Sequence, residues 1–385
     1  MQLQKHSSCR SQSRRRYLAL AGVVALLSVS CVDTPGITSP DALVITSPAG
    51  AYIEAGATVQ MTTTAKPGMA ATLSWTSSNA SVATVSQSGV VTGVAPGNAT
   101  ITVSAAEITG KAMLTVIEPV PFGSAVLLAA GDIATCTNDF DEATAKILDA
   151  NPYGIVAPLG DNAYVEGSAS EFANCYAPTW GRHLNRTMAA VGNHEYQTAD
   201  AAGYYGYFGS RAGDPAKGYY SYDLGDWHIV VLNSNIAHDA GSAQLEWLRS
   251  DLQANSGKTC TLAYWHHPRF SSGEHGSDSR ESAIWDALYA NGADVVLNGH
   301  EHSYERFAPQ TPAGVADNSR GLRAFVVGTG GTLLRAIGTP KANSEVFNSA
   351  SHGVLKLTLA PAGYAWQFLA IAGKSFTDSG SGTCH

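Results

Sequence analysis

Short apolar runs that end in glycine or in a polar side chain recur from residue 125 onward. Runs of this length with such boundaries predict buried strands, while apolar residues at helical spacing predict helices. We predict helices over residues 140–150, 242–254 and 279–290. We predict strands at Ala125–Ala130, Gly154–Leu159, Thr187–Val191, Tyr219–Leu224, Trp227–Asn233, Thr259–Trp265, Ala293–Asn298, Ala324–Gly328 and Gly353–Leu359. Helices and strands mixed in this way predict one large α/β core.

Residues 42–118 have a separate composition, rich in Thr, Ser, Val and Ala and without Cys or His. Apolar and polar residues alternate, as in Thr100-Ile101-Thr102-Val103, and turn residues such as Pro96-Gly97 recur at short intervals. This pattern predicts an all-β sandwich with Trp75 in its core. Residues 119–124 then predict a stiff linker to the region 125–385.

The first 30 residues predict an export signal, because a basic stretch precedes an apolar run, Tyr17–Val29, that is too short to span a bilayer. The stretch Ser13–Leu18 also resembles the twin-arginine type of signal. An ordinary secretory signal is the alternative. Without this segment the chain keeps 18 basic and 31 acidic residues and no basic cluster, which argues against a nucleic-acid partner.

The stretch Leu27–Cys31 resembles a lipoprotein cleavage site, except that Ser28 stands where Leu is usual. We therefore expect lipidation of Cys31, a polar tether over residues 31–41 and a lipid anchor in the membrane. Simple cleavage nearby is the alternative. The expected location is periplasmic or extracellular.

Four cysteines remain after these segments, and all of them follow residue 125: Cys136, Cys175, Cys260 and Cys384. An even number of cysteines in an exported chain predicts two disulfides, for which three pairings exist. We favour Cys136–Cys175, because each follows an early predicted strand closely, and Cys260–Cys384, which would hold the C-terminal tail.

Five of the predicted strands run into a residue type that binds metal ions. In chain order these motifs are Gly131-Asp132, Gly160-Asp161-Asn162-Ala163-Tyr164, Gly192-Asn193-His194-Glu195, His266-His267-Pro268 and Gly299-His300-Glu301-His302. In open α/β sheets the chemistry collects at the carboxyl ends of the strands. Two ions a few ångströms apart need hard oxygen ligands, imidazoles and one carboxylate that bridges them. The motifs therefore predict a two-metal hydrolytic site.

The order of these motifs resembles the calcineurin-like metallophosphoesterases over residues 125–330. Tyr164, three residues after Asp161, and the run Gly299–Arg306 narrow the resemblance to the purple acid phosphatase branch. The resemblance implies an α/β domain of four layers (αββα). The stretch Trp75–Gly97 resembles the group 2 bacterial immunoglobulin-like domain, so the whole chain is expected to be an immunoglobulin-like sandwich followed by a metallophosphoesterase domain.

The resemblance implies a ligand set for each ion. The first metal would take Asp132, Asp161, Tyr164 and His302, and the second would take Asp161, Asn193, His266 and His300, with Asp161 bridging. The tyrosinate implies Fe(III) at the first site, with Fe(II), Zn(II) or Mn(II) at the second; a di-zinc or di-manganese site beside Tyr164 is the alternative. The His-x-Pro spacing selects His266, and adjacent strand residues point to opposite faces, so His267 is not expected to bind metal.

Two histidines are expected to act on the substrate. The resemblance implies that His194 contacts the phosphate, together with Asn193, and stabilises the leaving-group oxygen. It implies that His275 also faces the substrate, although Gly276 stands where this family often has a second histidine. Glu195 and Glu301 are expected to hold the histidines in place.

The expected function is hydrolysis of small phosphomonoesters by attack of a metal-bound hydroxide. Two alternatives stay open: a phosphodiesterase or nucleotide hydrolase on the same scaffold, and a non-catalytic surface adhesion protein. Immunoglobulin-like domains of this kind are spacers and sometimes adhesive, so a cell-surface or polysaccharide contact is a further expectation.

Overall fold

The computed structural model describes residues 44–46, 52–64, 72–105, 108–118, 121 and 123–385. The predicted export signal, Cys31 with its lipidation, the tether and part of the predicted linker lie outside these residues. None of the helices in the described part of the chain combines the length and the apolar character that a bilayer crossing needs.

The N-terminal region consists of strands alone. Its strands are β1 (Val44–Thr46), β2 (Tyr52–Glu54), β3 (Thr58–Gln60), β4 (Thr62–Thr64), β5 (Ser74–Ser77), β6 (Ala83–Val85), β7 (Val90–Gly93), β8 (Gly97–Ala105) and β9 (Ile108–Ile117). Two small sheets have the strand orders β2-β9-β8-β5 and β3-β7-β6, and β1 pairs with β4. Along β8 the apolar residues Ala99, Ile101, Val103 and Ala105 are buried while the residues between them are not, which is the alternation expected of a sandwich. The predicted sandwich is confirmed, with Trp75 in its core.

The second region alternates strands and helices. Its strands are β10 (Ala125–Ala130), β11 (Ile155–Pro158), β12 (Tyr220–Leu224), β13 (Trp227–Val231), β14 (Cys260–Tyr264), β15 (Val295–Asn298), β16 (Tyr304–Phe307), β17 (Arg323–Val327), β18 (Ser344–Asn348), β19 (Gly353–Ala360), β20 (Gly363–Ala370) and β21 (Ser379–Thr383). Its helices are α1 (Phe140–Asp149), α2 (Ala169–Glu171), α3 (Ala202–Phe208), α4 (Ala243–Ala254) and α5 (Ser282–Ala290), with a π-helical turn at Phe172–Tyr176.

These strands form two sheets rather than one. Their orders are β11-β10-β19-β20-β21 and β12-β13-β14-β15-β17-β16-β18. Apolar side chains of both sheets, such as Leu127, Leu357, Ile229 and Leu262, share one core cluster. On the other face of the seven-stranded sheet a second cluster takes in residues of α4 and α5, and α1 contacts β19 of the five-stranded sheet. The expected αββα layering is confirmed.

The prediction of a strand at Thr187–Val191 is wrong. This run lies parallel to β11 and meets it only through two separate bridges, Val156 with Thr187 and Leu159 with Ala190. Its other side contacts the 3₁₀ turn Gly209–Ala212, where the Ala189 N–H donates to the Arg211 carbonyl, so no continuous ladder forms. The run still delivers Asn193 to the same end of the sheet.

Both favoured disulfides are present. Cys136 is joined to Cys175, and Cys260 at the start of β14 is joined to Cys384. The second bridge holds the last residues beside Asp294, whose carboxylate accepts from the backbone N–H of His385 at 3.0 Å.

Candidate metal centre

Carboxyl ends of strands from both sheets meet at one place. Asp132 follows β10 and Asp161 follows β11, both in the five-stranded sheet, whereas His266 follows β14 and His300 follows β15 in the seven-stranded sheet. A backbone hydrogen bond of 2.8 Å from the Gly131 N–H to the Val327 carbonyl joins the two sheets at this edge. The site is therefore assembled across the interface between the sheets.

Three of these residues have a backbone conformation that L-residues rarely adopt. The φ angles are 60° at Asp132, 50° at Asp161 and 70° at His300. A left-handed conformation at a residue other than glycine costs free energy and persists where the surrounding structure imposes it. Here it turns each side chain from the strand end toward the common centre.

Two glycines leave room for this approach. Gly160 has a φ of +87°, and a Cβ there would lie 2.6 Å from Nδ1 of His266. A Cβ at Gly192 would overlap the Asp161 carboxylate. The glycines that close the predicted strands are thus required by the packing of the ligand candidates.

Tyr164 lies at the centre of one group of candidates. Its hydroxyl is 2.8 Å from Oδ1 of Asp132, 3.1 Å from Oδ2 of Asp161 and 3.3 Å from Nε2 of His302. The second group surrounds His266, whose Nε2 is 3.0 Å from Oδ1 of Asn193, 3.2 Å from Oδ2 of Asp161 and 3.3 Å from Nδ1 of His300. Oδ2 of Asp161 belongs to both groups.

The charges of the site are strongly coupled. Burial, with the Asp161 carboxylate nearby, raises the pKa of Asp132 to about 7. Burial also opposes ionisation of Asp161, yet His266 and His194 hold its pKa well below the usual range. Burial disfavours the charged form of His266, but the two carboxylates outweigh it and raise its pKa to about 9. Burial lowers the pKa of His302 to about 4 and raises that of the Tyr164 phenol well above its usual value.

These side chains fit two metal ions. Donor atoms that share an ion with bonds of about 2.1 Å lie roughly 3 Å apart, as they do here. Nδ1 of His266 donates to the Leu159 carbonyl and Nδ1 of His302 to the Leu333 carbonyl, both at 2.9 Å, so each ring turns its Nε2 toward the centre. A cation would take the place of the proton that the carboxylates otherwise hold on His266. All seven predicted ligand residues lie in this cluster.

The position of His267 in the structure differs from the predicted one. It does not lie on the opposite side from His266, because both residues follow the end of β14, where strand alternation no longer applies. Its ring is 4.3 Å from that of His300. One ring nitrogen from each of His266, His267 and His300 is close enough to the other two for the three to bind one metal ion. Nδ1 of His267 is 2.7 Å from the Ser234 hydroxyl, and burial lowers the pKa of His267 to about 3.

The two histidines predicted to act on the substrate lie at the rim. Nδ1 of His194 donates to the Val165 carbonyl at 2.5 Å, which turns Nε2 toward Oδ2 of Asp161 at 3.8 Å. The centre of the His275 ring lies 4.4 Å from that of His300, with the two rings tilted by 35°.

Glu195 and Glu301 have different partners. The Glu195 carboxylate accepts four hydrogen bonds from backbone N–H groups, those of Asp161, Asn162, Ala163 and Gly192. It therefore ties together the two loops that carry Asp161 and Asn193. Glu301 holds a histidine as expected, with Oε2 at 3.3 Å from Nδ1 of His275, and also accepts from the Gly276 N–H.

Two cavities adjoin the centre. One, of about 680 Å³, is lined by Tyr164, His194, His302 and Arg335. The other, of about 540 Å³, is lined by Asn193, His267 and Arg280. Arg335 was missed by sequence reasoning because it lies in the loop after β17, outside every strand-end motif.

The comparisons with known proteins agree with this geometry. The bacterial Ig-like domain (group 2) model matches residues 42–116, and the calcineurin-like phosphoesterase model matches residues 125–304. The chain carries a calcineurin-like phosphoesterase domain. The resemblance predicted from the five motifs is thereby confirmed.

Curated relatives of this phosphoesterase domain include purple acid phosphatases. Purple acid phosphatase 15 of Arabidopsis thaliana is 29% identical over 213 residues, which are 46% of this chain and 40% of that protein. Purple acid phosphatase 18 of the same plant is 29% identical over 249 residues, 59% of this chain and 56% of that protein. The chain thus spans about half the length of the relatives that it matches.

Solved structures share the fold. The purple acid phosphatase PPD1 from yellow lupin (Lupinus luteus) seeds aligns with a TM-score of 0.57 at 15% identity, covering 89% of this chain and 70% of that chain. GAP50, the anchor in the inner membrane complex of Plasmodium, aligns with a TM-score of 0.53 at 12% identity, covering 68% of this chain and 89% of that chain. At these identities the likeness concerns the fold alone.

Proposed function

We propose that this protein hydrolyses phosphomonoesters with the help of two metal ions held by the seven clustered side chains. The observation that carries the proposal is the position of Asp161. Its Oδ2 lies between the Tyr164 hydroxyl and Nε2 of His266, at 3.1 and 3.2 Å. A buried carboxylate shared in this way by two groups of donors is suited to join two ions.

The donor sets differ between the two positions. Asp132, Asp161, Tyr164 and His302 include a phenol, whose anionic form is a hard ligand and favours Fe(III). Asn193, His266 and His300 with Asp161 suit Fe(II), Zn(II) or Mn(II). When bound, such ions activate a water molecule, orient the phosphoryl group and offset its developing charge.

The rim residues of the protein would act on the substrate. Because its Nδ1–H is committed to Val165, His194 presents Nε2 to the centre and can hold a proton toward the leaving-group oxygen. The backbone N–H of His194 donates to Oδ1 of Asp161 at 2.9 Å and so keeps this loop in register with the carboxylate. Asn193, on the same loop, would orient the phosphate. His275 would assist from the other side of His300.

The test combines metal analysis, spectroscopy and two aryl substrates. We expect two metal ions per chain, a visible tyrosinate-to-iron absorption band, and faster hydrolysis of 4-nitrophenyl phosphate than of bis(4-nitrophenyl) phosphate. Asp161→Asn should lower kcat/KM by more than about 100-fold, because it changes a ligand of both ions, and loss of a group that only holds a ligand in place already costs about 10- to 100-fold. Unchanged hydrolysis in Asp161→Asn would refute the site assignment, whereas a colourless di-zinc enzyme would refute only the iron.

A phosphodiesterase is the second candidate, because the cavities on both sides of the centre could accept both ester groups of a diester. Faster cleavage of the diester would favour it. The third alternative is a non-catalytic surface protein, and one relative bears the name probable inactive purple acid phosphatase 9 (Arabidopsis thaliana). Absence of hydrolysis in metal-loaded protein would favour that alternative.

We further propose that the protein acts outside the cytoplasm, as a lipoprotein anchored through Cys31. The two disulfides support export, since such bonds persist in oxidising compartments. The immunoglobulin-like domain would then hold the phosphoesterase domain away from the membrane or contact a surface polymer. Cell fractionation and mass spectrometry of the mature N-terminus test this proposal; soluble cytoplasmic protein with Met1 intact would refute it.

A further inference from the structure

Arg335 reaches the rim of the centre from the loop between β17 and β18. Its backbone N–H donates to the carbonyl of His302, one of the candidate metal ligands, at 2.9 Å. This bond fixes the base of the side chain directly beside the site. The side chain, about one third exposed, lines the 680 Å³ cavity together with Tyr164 and His194.

The positive charge of Arg335 is only weakly compensated. Nη1 lies 2.9 Å from Nε2 of His275, and the nearest carboxylate oxygen in an ion pair is that of Glu274, at 3.7 Å on a mostly exposed side chain. An exposed pair at this distance contributes little. Arg280 in the second cavity offers a contrast, because Asp278 binds its guanidinium through three contacts of 2.6 to 3.1 Å.

The partners of His275 show which group presents a charge to the cavity. Glu301, which is buried, lies 3.3 Å from Nδ1 of His275, so that nitrogen carries a proton toward the carboxylate. Nε2 then accepts from Arg335, because a guanidinium can only donate. In this arrangement His275 orients Arg335, and the guanidinium is the donor that faces the cavity on this side of the centre.

The backbone at Gly276 supports the same arrangement. Gly276 has a φ of +77°, and its N–H donates to Oε1 of Glu301 at 2.7 Å. A residue with a side chain would be strained at this φ. Glycine at this position thus allows the turn that holds Glu301 against His275. His275 in turn contacts Arg335.

We propose that Arg335 is a substrate-binding residue, whose guanidinium binds a phosphate group of the ester while the group lies at the metal centre. The inference rests on the proposed function, since it assumes that the centre binds phosphate esters. An arginine presents several N–H donors in a planar fork that matches phosphate oxygens, and the described contacts of Arg335 occupy one of them. The phosphate can be the scissile one or a second phosphate on the leaving group.

The experiment compares Arg335→Ala and Arg335→Lys with the wild type, all metal-loaded and full length. If Arg335 binds the scissile phosphate, Arg335→Ala should raise KM for 4-nitrophenyl phosphate, and the dissociation constant of inorganic phosphate, about 10- to 100-fold. If it binds a second phosphate, the rise should be confined to a nucleoside diphosphate substrate. Arg335→Lys should restore part of the loss. In either case kcat should change much less than KM.

Arg249→Ala is the matched control, because this exposed arginine of α4 lies 3.2 Å from Glu246 and lines neither cavity, and we expect KM within about twofold of the wild type. If Arg335→Ala leaves KM for both substrates and phosphate binding unchanged, the inference is wrong while the phosphatase proposal stands. If the wild type hydrolyses nothing, the proposed function fails. Titration of inorganic phosphate and of a nucleoside diphosphate by calorimetry then still tests Arg335, and equal affinity for both ligands in wild type and Arg335→Ala would overturn the inference.

Discussion

In the described residues 44–118 every buried side chain is apolar, whereas the phosphoesterase domain also buries carboxylates, imidazoles and amides. Asp132, Asp161 and His266 are almost fully buried just after strands of largely apolar residues, and Glu195 is fully buried in the short 3₁₀ turn Glu195–Gln197. Burying charge is costly unless the charges are paired or bind a cation. The first region is therefore organised for packing alone, and the second gives up favourable packing at one edge to hold a site.

The backbone shows the same contrast. In the described part of the immunoglobulin-like domain, positive φ angles occur only at glycines, while Asp132, Asp161 and His300 adopt them in the phosphoesterase domain. Violations of local preference are expected where function requires them. The difference leads to three predictions, one for the immunoglobulin-like domain and two for the phosphoesterase domain.

The largest effect should come from the core of the immunoglobulin-like domain. Trp75 is almost fully buried, and Gly89 lies against its ring. Trp75→Ala should destabilise this domain by about 3–5 kcal/mol. Calorimetry should show its unfolding transition at lower temperature, with kcat/KM for 4-nitrophenyl phosphate unchanged. A parallel loss of activity would mean that the two domains depend on each other.

Glu195→Gln should affect the chemistry more than the fold. Each oxygen of the carboxylate now accepts hydrogen bonds from backbone N–H groups. In glutamine an NH2 group would replace one of these oxygens and face two N–H donors, which would loosen the loops of Asp161 and Asn193. We expect a 10- to 100-fold loss of metal affinity or activity. The metal content of the protein at a limiting metal concentration, together with kcat, measures this loss. Glu281→Gln, which also removes a buried carboxylate, is the control and should keep its metal; if both variants lose metal equally, Glu195 has no special positioning role.

The smallest effect should be a pH dependence of stability at the C-terminal tail. Burial raises the pKa of Asp294 to about 7, although it accepts from the N–H groups of Thr261 and His385. The folded state then binds the proton more tightly than the unfolded state, so the contribution of Asp294 is full below about pH 4 and is lost as the pH rises toward 7. The stability of wild type relative to Asp294→Asn should fall by about 1–3 kcal/mol over this range. Parallel Tm-against-pH curves for the two proteins would contradict the prediction.

Much of the site could be predicted because most ligand candidates lie close to the end of an apolar run or to a glycine, and both are easily recognised in the sequence. Apolar runs end at Ala130, Pro158, Tyr264 and Asn298, and the glycine after a strand leaves room for the neighbouring ligand. The strands β18 and β21 were not predicted, because the sequences of Ser344–Asn348 and Ser379–Thr383 have no clear local pattern and are strands only through their neighbours. The prediction also missed β16 and β20, although β20 is mostly apolar.

By itself, the sequence determined the order of the two domains, the five motifs, the seven ligand candidates and the favoured disulfides, because each depends on neighbours in the chain or on a residue type with few roles. Only the tertiary structure decided that the motifs belong to two sheets, that His267 lies on the same side as His266, that Glu195 binds backbone amides, and that Arg335 meets His275. These depend on groups far apart in the chain, such as residues 275 and 335, whose contact no local pattern encodes.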